Sequence, residues 1–280
     1  MTKIQVKARA KINFTLDILG REGEYHSLRS FVASLDLHDL VVAKKRKDER
    51  VFVDFRGEWE MPEKSNALLA GQAFVKKFQT TGADVTVYQN IPLGGGLGGS
   101  SADSAGVLNA LATLYGIEDT ASLKELADEL GSDTGYMLQG GFCVIEGRGE
   151  RIEPLAVDGR KLYLLLLIPP SGVSAKECYQ KYDESGCNSP QTTDSCVQAF
   201  LRNDVEGMGK YLSNALKGPA KELNPDVARG LAELEAFAPC GFNMTGSGSV
   251  VYALFENREL RDYAYSRYRG DFLPVKAETV

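Results

Sequence analysis

Ile91-Pro92-Leu93-Gly94-Gly95-Gly96-Leu97-Gly98-Gly99-Ser100-Ser101-Ala102-Asp103 places five glycines within six positions and follows them with two serines. Glycines often only punctuate a chain, but this run exceeds what a turn needs. Without a Cβ, backbone N–H groups can come close to an anion. Downstream, Ala105, Leu108, Leu111, Ala112 and Tyr115 recur at three- and four-residue spacing, which predicts an amphipathic helix opening near Ser100 or Ser101. The loop therefore runs into a helix N-terminus, where unpaired donors and the helix dipole favour phosphate. Ser100 or Ser101 could add a hydroxyl for a phosphate oxygen or for Mg²⁺.

Other glycine loops compete for the same letters. Gly94-x-Gly96-x-x-Gly99 fits the dinucleotide fingerprint, whose loop follows a fully buried parallel strand. Here Val85, Val87 and Tyr88 alternate with polar Thr86 and lead through Gln89-Asn90 to Pro92, a context that disfavours NAD. No G-x-x-x-x-G-K-[ST] occurs anywhere, which excludes a Walker A loop.

Upstream, Ile4, Val6, Ala8, Ile12, Phe14, Leu16 and Ile18 fall on even positions, the period of a strand or hairpin. Lys11, Asn13, Thr15 and Asp17 then share the opposite, polar face. Residues 31–43, 51–55 and 85–88 read as further strands and 66–78 as a helix. Beyond the loop, 122–130 reads as a helix closed by Gly131, with Asp133 on a loop before a strand at 142–146. The apolar run 162–168 ends at Pro169-Pro170 and reads as a buried strand, far short of the ~20 residues of a membrane helix. The polar stretch Val157-Asp158-Gly159-Arg160 before it marks a domain boundary, giving domains 1–158 and 159–280.

At 280 residues, with 43% hydrophobic and 25% charged, the chain has the composition of an ordinary folded protein. A net charge of -6 leaves no basic excess for a nucleic-acid backbone. The first ten residues hold no export signal, so a cytoplasmic location is expected, with no membrane partner. Cys143, Cys178, Cys187, Cys196 and Cys240 form no C-x-x-C; free thiols are expected rather than disulfides or zinc.

The segment P-x-x-x-G-L-G-G-S-S-A resembles the second motif of the GHMP kinases, named for galactokinase, homoserine kinase, mevalonate kinase and phosphomevalonate kinase. Lys7-Ala8-Arg9-Ala10-Lys11-Ile12-Asn13 resembles the first motif, and Met244-Thr245-Gly246-Ser247-Gly248-Ser249 the third. All three stand in the family's order. Within the superfamily, local segments resemble the 4-diphosphocytidyl-2-C-methyl-D-erythritol kinases of non-mevalonate isoprenoid precursor synthesis. These are Gly20-Arg21 with Tyr25-His26, Leu35-Asp36-Leu37 with Asp39-Leu40, Gly131-Ser132-Asp133, Glu146-Gly147-Arg148-Gly149-Glu150, and Gly172-Val173-Ser174 with Tyr179. The chain departs from that pattern at Ser100, in place of a third glycine, at Ala102, in place of a serine, at Gly23-Glu24 and at Gly135. A positive φ at position 100 would cost Ser roughly 1–2 kcal/mol relative to Gly.

The resemblance implies an α/β (α+β) two-domain fold: an N-terminal mixed-sheet domain and a C-terminal ferredoxin-like domain. It implies ATP and Mg²⁺, a small-molecule alcohol as acceptor, Asp133 orienting or deprotonating the acceptor hydroxyl, and Lys11 stabilising the developing charge. Pro92, Gly94, Gly95, Gly96, Leu97, Gly98, Gly99, Ser100 and Ser101 would hold the phosphates, and Ser101 the metal. Ser65 and Asn66 resemble an adenine-side contact and read equally as an ordinary helix cap. Asn13, Thr245, Gly246 and Ser247 would meet the acceptor, and Tyr25, His26 and Tyr179 would hold its base by stacking. A GHMP kinase for a sugar, homoserine or mevalonate, and a non-catalytic binding homologue, are the alternative readings.

Overall fold

The computed structural model describes residues 2–23, 25–59, 61–157, 159–186 and 188–280. Of the positions singled out above, Glu24, Asp158 and Cys187 lie outside the described residues. The N-terminal elements are β1 (Lys3–Asn13), β2 (Asp17–Glu22), β3 (Tyr25–Lys45), β4 (Phe52–Arg56), α1 (Asn66–Phe78) and β5 (Ala83–Tyr88). After the glycine loop come α2 (Gly99–Tyr115), α3 (Thr120–Leu130), α4 (Thr134–Gln139), β6 (Phe142–Gly147) and β7 (Arg151–Pro154). Next are β8 (Tyr163–Ile168), α5 (Ala175–Ser185), α6 (Thr193–Leu201), α7 (Val205–Tyr211), α8 (Lys217–Leu223) and α9 (Pro225–Glu235). β9 (Gly241–Met244), β10 (Val251–Phe255), α10 (Arg258–Arg267) and β11 (Leu273–Glu278) complete the chain.

Packing divides the molecule into two compact units. The first comprises Met1–Ala10, Leu37–Leu93 and Gly98–Gly140; the second comprises Lys11–Asp36, Gly94–Leu97 and Gly141–Val280. This is a different division from the one in sequence order at 158/159, because β1, β3 and the glycine loop each contribute to both units.

In the first unit, β4 runs parallel to β5, and β5 runs antiparallel to residues 40–45 of β3, so the sheet is mixed. Side chains of β5 alternate buried and outward, with Val85 and Val87 in the core. A Cβ on Gly106 of α2 would stand 2.8 Å from both Ala8 Cβ and Val41 Cγ2, so the helix lies close on the sheet. The spacing predicts an amphipathic α2, whereas the structure buries eleven of its seventeen residues, Val107 and Ala110 as well as Leu108 and Leu111. A helix apolar on most sides is one covered on most sides. Helix α1 has the expected limits at both ends.

The second unit holds an antiparallel sheet in the order β11-β8-β10-β9. Counted along the chain this is fourth, first, third, second, the ferredoxin-like arrangement, with α5 to α9 between its first two strands and α10 between its last two. Leu165 and Leu167 pack with Val251, Ala253, Leu231 and Leu234 in one core cluster. Also in this unit, residues 28–33 of β3 pair antiparallel with β6, and β2 and β7 continue the pairing. The mixed sheet and the ferredoxin-like sheet are the architecture the motifs imply.

One expectation needs correction: Lys11, Asn13, Thr15 and Asp17 do not form an open polar face. All four are at most 5% exposed. Their polar atoms are met inside the protein: Thr15 Oγ1 lies 2.7 Å from Thr193 Oγ1, and Asp17 Oδ2 accepts from Thr193 N at 2.9 Å. Asp133 lies in the turn after α3, as expected, and stands at the N-cap position of the short helix α4, which the spacing does not predict. Cys143, Cys178, Cys196 and Cys240 are free thiols, the first three buried. Among the described residues no helix is long and apolar enough to cross a membrane.

Candidate active site

The glycine loop alternates its backbone, with left-handed φ at Gly94 (68°), Gly96 (78°) and Gly98 (74°). This turns its carbonyls toward protein partners. Gly94 O accepts from Val173 N at 3.4 Å, Gly95 O from Val250 N at 3.1 Å, Leu97 O from Lys11 N at 3.0 Å and Gly98 O from Ala102 N at 2.8 Å, while Gly96 O faces the Thr245 hydroxyl at 3.3 Å. The N–H groups of Gly99, Ser100 and Ser101 open α2 and so have no carbonyl of the helix to bond. A glycine run that ends in a helix N-terminus is suited to receive an anion. A Cβ on Gly96 would stand 2.1 Å from Thr245 O, which is the close backbone approach that calls for glycine there. Ser100 lies inside α2 and is not among the residues of positive φ, so serine at this position carries no backbone strain.

The first unit positions the helix side of the loop. Ser65 caps α1, its Oγ accepting from Leu68 N at 3.2 Å. Asn66, the first residue of α1, donates its amide to Ser100 Oγ at 3.0 Å and ties the start of α1 to the start of α2. Pro92 is buried, and Ser101 is half-buried in the first turn of α2. Helix α4 packs on α2, and a Cβ on Gly131 would lie 3.7 Å from Ser101 Oγ. Asp133 is half-buried, with its carbonyl accepting from Met137 N at 3.0 Å and its carboxylate making no capping bond.

The second unit gathers the end of the first motif, Lys11 to Asn13, and the third motif. Lys11 donates its ammonium to Asn13 Oδ1 at 2.6 Å, and the same oxygen accepts from Gly246 N at 3.0 Å. Asn13 Nδ2 donates to Ser30 Oγ at 2.8 Å, and Asn13 N donates to Thr245 Oγ1 at 3.1 Å. Asn13 thus spends its acceptor on fixing Lys11 and the Thr245-Gly246 turn. Lys11 Nζ lies 3.3 Å from where a Cβ of Gly246 would be, while Ser247 is half-buried beside it in sequence.

The three aromatic positions are not brought together as one slot. His26 and Tyr179 stack with centroids 4.9 Å apart, and His26 Nε2 lies 2.6 Å from Asp183 Oδ1. Arg21 donates to the other oxygen of Asp183 at 3.2 Å. Tyr25, 56% exposed, is instead covered by the Arg148 guanidinium 4.6 Å from its ring centroid. An open hollow of about 550 Å³ adjoins the pair, lined by Arg21, His26, Tyr182, Asp183 and Gln191.

Two family profiles match the chain, GHMP kinases N terminal domain over residues 66–144 and GHMP kinases C terminal over 196–272. The 4-diphosphocytidyl-2-C-methyl-D-erythritol kinase of Caldanaerobacter subterraneus subsp. tengcongensis is 34% identical, with 96% of this chain and 93% of that one covered. The enzyme of the same name from Pelotomaculum thermopropionicum is also 34% identical, over 95% of this chain and 94% of its own. The chain belongs to the 4-diphosphocytidyl-2-C-methyl-D-erythritol kinase family of GHMP kinases. A crystal structure of 4-(cytidine 5'-diphospho)-2C-methyl-D-erythritol kinase, 28% identical, superposes with a TM-score of 0.80 over 99% of this chain and 100% of that one. A homoserine kinase from Cytophaga hutchinsonii superposes with 0.77 over 100% of this chain and 95% of its own at 16% identity, a likeness of fold alone.

In this member of the 4-diphosphocytidyl-2-C-methyl-D-erythritol kinase family, two supports escape sequence reading. Asn214 donates its amide to Met244 O at 3.0 Å and to Gly246 O at 2.8 Å, clamping the third-motif turn from outside the motif. Nothing local marks it, since its partners lie thirty residues on. Asp183 could have been found: it follows Tyr179 by four residues on α5 and so shares its helix face.

Proposed function

We propose that this kinase transfers the γ-phosphoryl group of ATP to a hydroxyl of 4-diphosphocytidyl-2-C-methyl-D-erythritol, in non-mevalonate isoprenoid precursor synthesis. The observation that carries the ATP part is the glycine loop, whose carbonyls are held by protein while it runs, through left-handed Gly94, Gly96 and Gly98, into the N-terminus of α2. The acceptor is carried by the names of relatives matched over nearly the whole chain.

Phosphoryl transfer needs anchored phosphates, neutralised charge and an acceptor hydroxyl held in line. The loop amides anchor the phosphates, and Pro92 and the Ser65-Asn66 corner shape the nucleotide side. Asp133 orients the acceptor hydroxyl and takes its proton. Lys11, its ammonium fixed by Asn13, meets negative charge as it develops. Among the described residues no cluster of three or more His, Cys, Asp or Glu could cage a metal. Mg²⁺ is held mainly by substrate phosphates and water with one or two protein ligands, and the motif resemblance assigns Ser101 Oγ as that protein donor. Bound there, Mg²⁺ would neutralise phosphate charge. His26 and Tyr179 hold the cytosine, with Tyr25 at the rim, and Thr245, Gly246 and Ser247 adjoin the acceptor. The sequence-order division into 1–158 and 159–280 is kept as the boundary between domains. A cytoplasmic location belongs to the same reading, supported by the buried free thiols at Cys143, Cys178 and Cys196.

The test is ADP release with 4-diphosphocytidyl-2-C-methyl-D-erythritol against mevalonate, homoserine and galactose, each with and without CMP. Fastest turnover of the first, inhibited by CMP competitively with the acceptor, is expected. Faster turnover of another alcohol would reassign the substrate, and no turnover with ADP still bound would leave a binding protein.

A further inference from the structure

The stretch Ser213-Asn214-Ala215 lies outside every motif and yet joins two of them. Its backbone runs against the residues that leave the first motif: Ser213 N donates to Phe14 O at 3.3 Å, Leu16 N to Ser213 O at 3.0 Å and Ala215 N to Leu16 O at 2.9 Å. Between those rungs the side chain of Asn214, 4% exposed, reaches the third motif, its amide donating to Met244 O and to Gly246 O. Its own oxygen accepts from Leu216 N at 2.9 Å. Two carbonyls that only accept and one N–H that only donates fix which end of the amide faces which way. The peptide between Met244 and Thr245 is held from its other side as well, Thr245 N donating to Val250 O at 3.2 Å. All of these residues belong to the second unit. The turn so held meets Lys11 at one shared atom. Gly246 N donates to Asn13 Oδ1, and the Lys11 ammonium donates to the same oxygen. A buried carboxamide keeps one orientation while both its ends are bonded, and Gly246 N–H and Ser30 Oγ hold the two ends of Asn13. A loosened turn therefore frees the oxygen that fixes the ammonium.

We propose that Asn214 is a positioning residue of the kinase, which by clamping the Thr245-Gly246 turn keeps Asn13 Oδ1, and with it the Lys11 ammonium, set for the charge that develops during phosphoryl transfer. Stabilisation aimed at charge that appears only in the transition state is lost from kcat rather than from ground-state binding. This inference rests on the role given to Lys11 above.

The test measures kcat at saturating ATP and 4-diphosphocytidyl-2-C-methyl-D-erythritol, and ADP binding by calorimetry, with thermal unfolding to certify folded protein. Asn214→Ala is expected to lower kcat about ten- to a hundredfold, with the ADP dissociation constant changing about threefold or less. In a Lys11→Met background the same substitution should cost almost nothing further, because a residue that acts through Lys11 then has nothing left to position. A residue that only supports the fold would cost the same factor in both backgrounds. Asn214→Asp keeps the size and the bond from Leu216 N but sets an oxygen against two carbonyls, so it should be at least as slow as Asn214→Ala. If Asn214→Ala does not fold, Asn214→Ser decides by the same constants and the same pair of backgrounds. A folded variant with native kcat, an equal factor in both backgrounds, ADP affinity lost by as much as kcat, or a near-native Asn214→Asp overturns the clamp. Lys11→Met with native kcat overturns the role of Lys11 instead, so the two failures are told apart.

Discussion

Burial pushes the Asp103 carboxyl up to about 9, with the charge of Asp39 adding to the shift. In an unfolded chain an aspartate titrates near ~3.9, so between that pH and about 9 the native state holds a proton that the unfolded state has released. Stability from this group is fully present below the lower value and is lost as pH rises toward the higher. Asp103→Asn removes the liability. Its stability relative to the native chain, from urea unfolding, should therefore climb between pH 5 and pH 8; a flat difference would mean that Asp103 is already ionised. At the chemical centre, Asp133→Asn and Lys11→Met should each lower kcat ~10²–10⁴-fold with ATP affinity little changed, in single-turnover and binding assays. Near-normal turnover in both would remove them from the mechanism. Lys11, Asp133 and the loop could be proposed from sequence because the motifs they resemble are local. Asn214 could not, because what gives it meaning is a partner tens of residues away, and a lone Asn in sequence carries no sign of it.

Among elements, α1 and α2 show how capping serves the loop between them. Ser65→Ala deletes the bond to Leu68 N and should cost about 1 kcal/mol of stability, read as a lowered urea midpoint. Its nucleotide affinity should also fall, since Asn66 on the same first turn holds Ser100; an unchanged midpoint would deny the cap its role. Gly96→Ala is harsher. A left-handed φ costs a side chain ~1–2 kcal/mol, and the added methyl meets Thr245 O, so ATP binding by calorimetry should be lost or weakened at least tenfold. Retained affinity in a folded variant would mean that the loop is not the phosphate site. The limits of α1 were readable because a cap precedes an unbroken helical period, whereas α4 was missed because six residues are too few to show one.

At the scale of the whole molecule, the sequence-order boundary at 158/159 makes a prediction about cleavage. Gly159 is exposed at a φ of 66°, and Lys161 follows it in the open, so limited trypsin treatment should cut first after Arg160 or Lys161. An earlier cut in the basic turn around residues 46–50 would argue against that boundary. The order of the ferredoxin-like sheet was not legible from periodicity, which tells strand from helix but not which strands become neighbours; it entered through the resemblance. That order has a consequence during synthesis. Residue 167 of β8 pairs with residue 251, and residue 166 with residue 275, so β8 emerges from the ribosome long before either neighbour exists. Closing spans of that size is slow, and until then the leucines at 164–167 stay uncovered on a strand with two open edges. This segment is where a nascent chain of this kinase would stick to its neighbours, and where a holding chaperone would find its grip.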